Sequence, residues 1–232
     1  MRTRRGSTLK GVITLSLMVV NVVFWVPILL VVALAKLIIP LAAWRRWTSA
    51  LMIWIAQAWI SCNGAIFGLM GALRLEVEGV AGLDPRGWYL VLSNHRSWVD
   101  ILVLQQAFNR RIPFLKFFLK QQLIYVPVIG LAWWALDFPF MRRHSKAALR
   151  ANPALRDQDR ETTRRACEKF ALVPTCVMNF AEGTRFTKAK HKAQASPYRH
   201  LLKPKAGALA LALNAMGEQF HSLIDVTIVY PQ

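Results

Sequence analysis

Residues Trp88-Tyr89-Leu90-Val91-Leu92-Ser93-Asn94-His95-Arg96-Ser97-Trp98-Val99-Asp100 change from one backbone period to another within a few positions. The first five are apolar without a break, the pattern of a strand buried on both faces. Polar residues then fill a turn. Ser97, with Asp100 three places on, forms a capping box ahead of the apolar run Ile101-Leu102-Val103-Leu104. Ser97 is thus the N-cap and Asp100 the third helical residue, its carboxylate directed back at the helix start.

Working outward, the same alternation repeats. Residues 114–118, 175–180 and 224–230 read as further strands, and 98–108, 153–170 and 206–216 as helices. The middle helix has only a weak apolar stripe of Leu155, Ala166 and Phe170. Strands alternating with helices predict an α/β fold, a largely parallel sheet covered by helices. Leu75-Glu76-Val77-Glu78 alternates apolar and charged, as a half-exposed strand does, before a loop marked by Gly79, Gly82, Pro85 and Gly87. Lys188, Lys190, Lys192 and the following Gln194-Ala195-Ser196-Pro197 read as a mobile surface loop. There is no internal repeat.

Upstream the composition differs. Hydrophobic residues make up 55% of the 232 and charged ones 18%. That excludes a disordered chain. The apolar excess is concentrated at the N-terminus. No charge occurs from Gly11 to Ala35, the apolar run resumes after Lys36 as far as Trp44, and residues 47–73 are again uncharged. Each run exceeds the roughly 20 residues that cross a hydrocarbon core. Residues 1–74 are therefore expected to form a membrane-embedded two-helix hairpin, ahead of an α/β domain over residues 75–232. Two full spans put Arg45 and Arg46 opposite Arg2, Arg4 and Arg5, against the tendency of such residues to stay on one side. A hairpin dipping into one leaflet keeps them together, with Lys36 snorkelling to the same surface. Two buried core helices are the remaining alternative. Asn21, Gln57, Asn63 and Pro27 are expected to face the other helix.

The net charge is +18, from 30 Lys and Arg against 12 Asp and Glu, and no acid precedes Glu76. Such a chain suits a polyanionic partner. The apolar runs favour an anionic membrane over nucleic acid, for which no recognition motif is present. Three cysteines, Cys62, Cys167 and Cys176, form no C-x-x-C pair. A disulfide framework is not expected, and a reducing compartment is.

His95 lies in the turn where the Asp100 carboxylate arrives. A contact between them fixes the imidazole tautomer and stabilises the imidazolium. No serine or cysteine carries a nucleophile motif, so the base would act on a hydroxyl of the substrate. A lone His and Asp at this spacing are more often a loop histidine beside an ordinary cap. No ligand spacing for a metal is present, and none is expected. A second string, Phe180-Ala181-Glu182-Gly183-Thr184-Arg185, ends another strand. Gly183 allows a sharp turn, and Arg185 at a strand's C-terminal end suits a phosphate; a turn with a solvated arginine fits the string equally well. Lys116 and Lys120 flank an apolar stretch, and Arg142, Arg143, His144 and Lys146 form a basic cluster. Alone these read as an amphipathic surface and a solvated face, though the cluster could meet lipid headgroups or an anionic donor.

Together the strings resemble the PlsC-like glycerophospholipid (1-acylglycerol-3-phosphate) acyltransferase family. Asn94-His95-Arg96-Ser97-Trp98-Val99-Asp100 matches its N-H-x-S-x-x-D block. Lys120, Leu123, Pro127 and Gly130, with Phe140 and Arg142 or Arg143, match the second block; Glu182-Gly183-Thr184-Arg185 matches the third. Val226-Thr227-Ile228-Val229-Tyr230-Pro231 resembles the fourth, though less compact than its usual V-P-V form, and Ala181 stands where many members have proline. Thr187, Lys190 and His191 beyond the third block are similar to the branch with bacterial YihG-type proteins and eukaryotic lysophosphatidate and lysocardiolipin acyltransferases. The chain stops just past the fourth block, which allows for a further C-terminal tail.

The resemblance implies an enzyme that moves a fatty acyl group from acyl-CoA or acyl carrier protein to the sn-2 hydroxyl of a lysophospholipid, first of all lysophosphatidate to phosphatidate. It implies His95 as general base and Asp100 as its orienting partner. It implies substrate contacts from Asn94, Ser97, Lys120, Glu182, Gly183, Thr184 and Arg185, with backbone N–H groups around Lys120 as oxyanion donors. No cofactor is expected beyond the acyl-donor substrate. The expected partners are membrane lipids with anionic headgroups, and the expected location is the cytoplasmic face of a bacterial inner membrane. Lysophosphatidylglycerol or lysocardiolipin as acceptor, and a non-catalytic basic membrane adaptor, are the alternatives.

Overall fold

The computed structural model describes residues 2–141 and 174–230, together with residues 152, 154, 161 and 164. The cluster of Arg142, Arg143, His144 and Lys146, Pro231, and most of the helix expected over 153–170 lie outside the described residues; Ala154, Glu161 and Arg164 are helical.

Two compact units divide the chain. The first comprises Met1–Ala81, Gln105–Asn109 and Ile124–Leu136. Its frame is α1 (Arg2–Ile38) and α2 (Ala42–Met70), joined by a short connection at Pro40. They pack along one another. Asn21 Nδ2 donates to Asn63 Oδ1 at 2.9 Å and to the Trp59 carbonyl at 3.1 Å, which is the register of an antiparallel hairpin. Asn21 and Asn63 thus face across the helix pair. Gly71 ends α2 in the left-handed region, with φ 58°, while Ala72 N–H returns to the Phe67 carbonyl. That closes the helix as a Schellman motif. Both helices are long and apolar enough to cross a membrane, and side chains such as Val20, Val23, Val31, Leu34, Trp47 and Trp54 are exposed. Gln106 Nε2 donates to the Ile60 carbonyl at 2.7 Å, and Asn109 Nδ2 to Ser61 Oγ at 2.9 Å.

The second unit comprises Gly82–Leu104, Arg110–Leu123 and Asp137–Gln232. It holds β1 (Tyr89–Ser93), β2 (Leu115–Phe117), β5 (Cys176–Phe180) and β6 (Ser222–Val226), in the order β2-β5-β1-β6. Every pairing is parallel, with Leu90 opposite Val177 and Leu223. Strands β1 and β5 are buried along nearly their whole length, as strands covered on both faces are. Leu90 and Val177 pack with Ala212 and Met216 of helix α6 (Gly207–Met216), and Trp88, Leu209 and Phe220 close over them. Helix α3 (Val99–Phe108) follows β1. A separate pair, β3 (Leu119–Lys120) and β4 (Phe140–Met141), is also parallel. Helix α4 (Ile129–Ala135) belongs to the first unit and α5 (Lys188–Ala193) to the second.

The parallel α/β architecture agrees with the sequence reading; three segments depart from it. Leu75–Glu78 forms no strand and is exposed on both sides, so its alternation has no partner to sort it into a wet and a dry face. The last strand ends at Val226 rather than Tyr230, because the Ile228 N–H and C=O are both taken by the Asn94 side chain. The lysine-rich segment is a helix, not a loop. Thr187 caps it by accepting from Lys190 N–H at 3.2 Å, and Lys190, His191 and Lys192 sit in its last turn, where the helix dipole favours cations.

Leu90 is 1% exposed at the centre of the sheet. Leu90→Ala is expected to lower the unfolding free energy by roughly 2–5 kcal/mol, measured by urea denaturation of the detergent-solubilised chain. A loss under about 1 kcal/mol, typical of surface substitutions, would place Leu90 outside the core.

Candidate active site

Because β1, β5 and β6 run parallel, the residues that follow each of them emerge at one end of the sheet. The turn after β1 carries Asn94 and His95. Asn94 clamps the segment after β6: its Nδ2 donates to the Ile228 carbonyl at 2.9 Å, and its Oδ1 accepts from Ile228 N–H at 2.8 Å. An amide side chain, with a donor and an acceptor side by side, here replaces a neighbouring strand.

His95 is fixed from four directions. Its backbone N–H donates to Glu182 Oε1 at 2.9 Å, and its carbonyl accepts from Phe186 N–H at 2.7 Å. Its ring stacks on Phe180, with centroids 3.8 Å apart and planes within 13°. Its Nδ1 lies 2.8 Å from Asp100 Oδ2. Among the described residues nothing holds Nε2, and the side chain is 13% exposed.

Asp100 has no exposure at all. Its Oδ2 accepts from the backbone N–H of Arg96 at 2.6 Å and of Ser97 at 2.9 Å, besides His95. The Ser97 bond is the carboxylate half of a capping box, and Ser97 Oγ caps the helix by accepting from Val99 N–H at 3.2 Å. The Oδ1 accepts from the Tyr230 hydroxyl at 2.5 Å. Burial pushes this carboxyl up, but the bonds from Ser97, Tyr230, His95 and Arg96 together outweigh it and hold the group below its ordinary 3.8. The Tyr230 phenol is pushed well above its ordinary value by burial and by its bond to Asp100, so it stays a donor.

The turn after β5 contributes the third block. Glu182 is only 2% exposed. One oxygen accepts from His95 N–H, the other from Leu202 N–H at 2.7 Å. The sequence reading makes Glu182 a substrate contact; in the structure each of its oxygens accepts from a backbone amide of the chain. Gly183 has φ 64°, and a Cβ there would come within 3.0 Å of Lys205 Cδ. Thr184 Oγ1 accepts from Lys190 Nζ at 2.8 Å, and the same ammonium donates to the Arg185 carbonyl at 3.1 Å. The Arg185 guanidinium lies over the exposed indole of Trp98, 4.6 Å from its centroid. That of Arg96 lies 5.5 Å from the Phe186 ring.

His95, Asp100, Asn94, Ser97, Glu182, Gly183, Thr184 and Arg185 are thereby gathered on the turns after β1 and β5 and the first turn of α3. Lys120 stands apart from this hydrogen-bonded set, exposed at the end of β3. Four contributors escape the sequence reading of the site: Phe180 beneath His95, Tyr230 on Asp100, Trp98 beneath Arg185, and Lys190 beside Thr184. Of these, Trp98, Tyr230 and Lys190 stand in strings that the family resemblance had already marked. Cys176 is buried within β5, and burial pushes its thiol far up, out of the range of a nucleophile. Among the described residues, no three His, Cys, Asp or Glu side chains cluster as metal ligands do.

A family model described as Acyltransferase matches residues 74–231. The chain belongs to that acyltransferase family. Similar relatives include the mouse 1-acyl-sn-glycerol-3-phosphate acyltransferase delta, 27% identical over 157 residues, and the mouse gamma form, 24% identical over 151. Each match covers 60% of this chain and 37% of the relative, so the chain spans little more than a third of their length. The crystal structure of the 1-acyl-sn-glycerophosphate acyltransferase PlsC from Thermotoga maritima shares the fold, with a TM-score of 0.59 at 20% identity, over 93% of this chain and 72% of that one.

The lowered carboxyl of Asp100 links stability to pH. Its stabilisation is complete above the unfolded value of 3.8 and is lost as the pH falls through the still lower folded value. On acidification below about pH 4, the unfolding free energy of the parent is expected to fall more steeply than that of Asp100→Asn. Urea titrations at a series of pH values measure both slopes; equal slopes would remove this carboxylate as a source of acid lability.

Proposed function

We propose that the chain transfers a fatty acyl group from an acyl thioester, acyl-CoA or acyl carrier protein, to the sn-2 hydroxyl of lysophosphatidate, giving phosphatidate. The observation that carries this reading is the 2.8 Å contact between His95 Nδ1 and Asp100 Oδ2, in a chain of the acyltransferase family.

Asp100 accepts from Nδ1–H, which leaves Nε2 unprotonated and able to take the proton of the acceptor hydroxyl. The hydroxyl oxygen attacks the thioester carbonyl as the proton moves to Nε2, and a C–O bond forms. Collapse of the tetrahedral intermediate breaks the C–S bond. The thiolate recovers the proton from the imidazolium, which Asp100 has stabilised meanwhile. No acyl-enzyme is required. On the family resemblance, the backbone N–H groups around Lys120 stabilise the oxyanion. Arg185, held against Trp98, presents its remaining N–H edge to the acceptor phosphate, a planar donor set that suits bidentate binding. Thr184 and Gly183 shape the turn beside it, and Asn94 and Ser97 hold the histidine turn.

Residues 1–74 serve in this reading as a membrane anchor and residues 75–232 as the acyl-transfer domain. The exposed apolar side chains of α1 and α2 support lipid attachment. The hairpin enters one leaflet, with the arginines at the cytoplasmic surface of a bacterial inner membrane. Anionic lipid headgroups are the partners that the charge of +18 suits. Acceptor and product then stay in the bilayer throughout.

His95→Ala is expected to lower acyl transfer from acyl-CoA to lysophosphatidate by at least about 100-fold, while membrane binding and the unfolding midpoint stay at parent values. Parent-like turnover in that variant would refute the general-base role. Arg185→Ala is expected to raise KM for lysophosphatidate about tenfold or more and to leave an uncharged monoacylglycerol acceptor little changed. Equal losses on the two acceptors would separate Arg185 from phosphate binding.

A further inference from the structure

Asp100 has two carboxylate oxygens, and the site described so far uses one of them for His95. The second, Oδ1, is occupied by the hydroxyl of Tyr230, a residue 130 positions away in sequence. That residue is delivered by the segment after β6, whose backbone Asn94 grips at Ile228 by a matched pair of hydrogen bonds. The turn that holds His95 therefore also fixes the segment that brings the tyrosine. From this arrangement we infer that Tyr230 is a positioning residue: it occupies the far oxygen of Asp100, draws charge from the carboxylate, and so sets how strongly Asp100 holds the His95 imidazole. The inference rests on the reading of His95 as general base.

The groups facing Asp100 come from two segments. They are the His95 ring and the Arg96 and Ser97 amides from the turn between β1 and α3, and the Tyr230 phenol from beyond β6. The Arg96 guanidinium acts on the phenol by charge alone. Glu182, on the turn after β5, faces the His95 amide rather than its ring. Of these, the phenol is the one side chain other than His95 that shares the Asp100 carboxylate directly. Removing its hydroxyl concentrates negative charge on the oxygen that faces Nδ1, and an imidazolium beside a fuller charge holds its proton to higher pH.

The experiment follows the His95 ring by nitrogen NMR in the full-length chain in lipid nanodiscs without substrate, with His95→Gln used to assign the signal. In Tyr230→Phe, the titration midpoint of His95 is expected to rise by about half a pH unit or more, and the acid limb of kcat/KM to move with it. The kcat at neutral pH is expected to fall about tenfold, the size of a lost hydrogen bond to a charged group, with KM for both substrates unchanged. Where Tyr230→Phe does not fold, 3,5-difluorotyrosine introduced at position 230 keeps the shape and strengthens the donor; the midpoint is then expected to fall. A midpoint that stays at the parent value, or moves the opposite way, overturns the inference whatever the rate does. A displaced midpoint in a protein whose parent transfers no acyl group to any lysolipid sustains the inference and removes the proposed function instead.

Discussion

A carboxylate sealed from water costs several kcal/mol unless its charge is met by donors on every side. Asp100 meets that condition with two backbone amides, an imidazole and a phenol. The remainder of the site depends on this arrangement. The amides exist because α3 begins there, and the capping box that starts the helix also aims the carboxylate. The imidazole reaches it because the turn after β1 is short. Helix initiation and orientation of the histidine are therefore one structural event, carried by a single side chain.

The parallel sheet supplies what the helix start cannot. Its strand ends release three turns at one end, and polar side chains tie these turns together through backbone groups. Asn94 joins the turn after β1 to the segment after β6. Glu182 joins the turn after β5 to His95 and to Leu202. These bonds satisfy amides and carbonyls that would otherwise be left unpaired at the rim of the sheet. Two residues that resemble ligand contacts in sequence thus also act on the protein's own chain, with one backbone amide on each Glu182 oxygen.

The alternation of buried apolar runs with helical periods suffices for a parallel α/β sheet, because strands covered on both faces have a composition that half-exposed ones lack. The capping spacing of Ser97 and Asp100 likewise reveals His95 in the turn. Local pattern fails where a distant partner decides. Leu75–Glu78 alternates without a neighbour to pair with. Residues beyond Val226 are apolar enough to continue a strand, but Asn94 takes their hydrogen bonds from across the fold. The Lys188–Ala193 helix is decided by Thr187, a cap easily overlooked beside so many lysines. The two-residue strands β3 and β4 are too short to leave any period. Tyr230 and Trp98 meet Asp100 and Arg185 only through tertiary structure, and nothing near them in sequence marks the encounter.

Phe180 lies flat against His95 at 3.8 Å, from the last position of β5. An imidazole that flips about its side-chain axis exchanges a nitrogen for a carbon at both edges and breaks the contact with Asp100. The phenyl face hinders that flip without using a hydrogen bond, so it leaves both nitrogens to their tasks. In the proposed mechanism, its electron-rich surface also favours the imidazolium formed when His95 takes the proton. On that reading, one apolar ring at the end of a strand is both a rotational brake and a seat for transient positive charge.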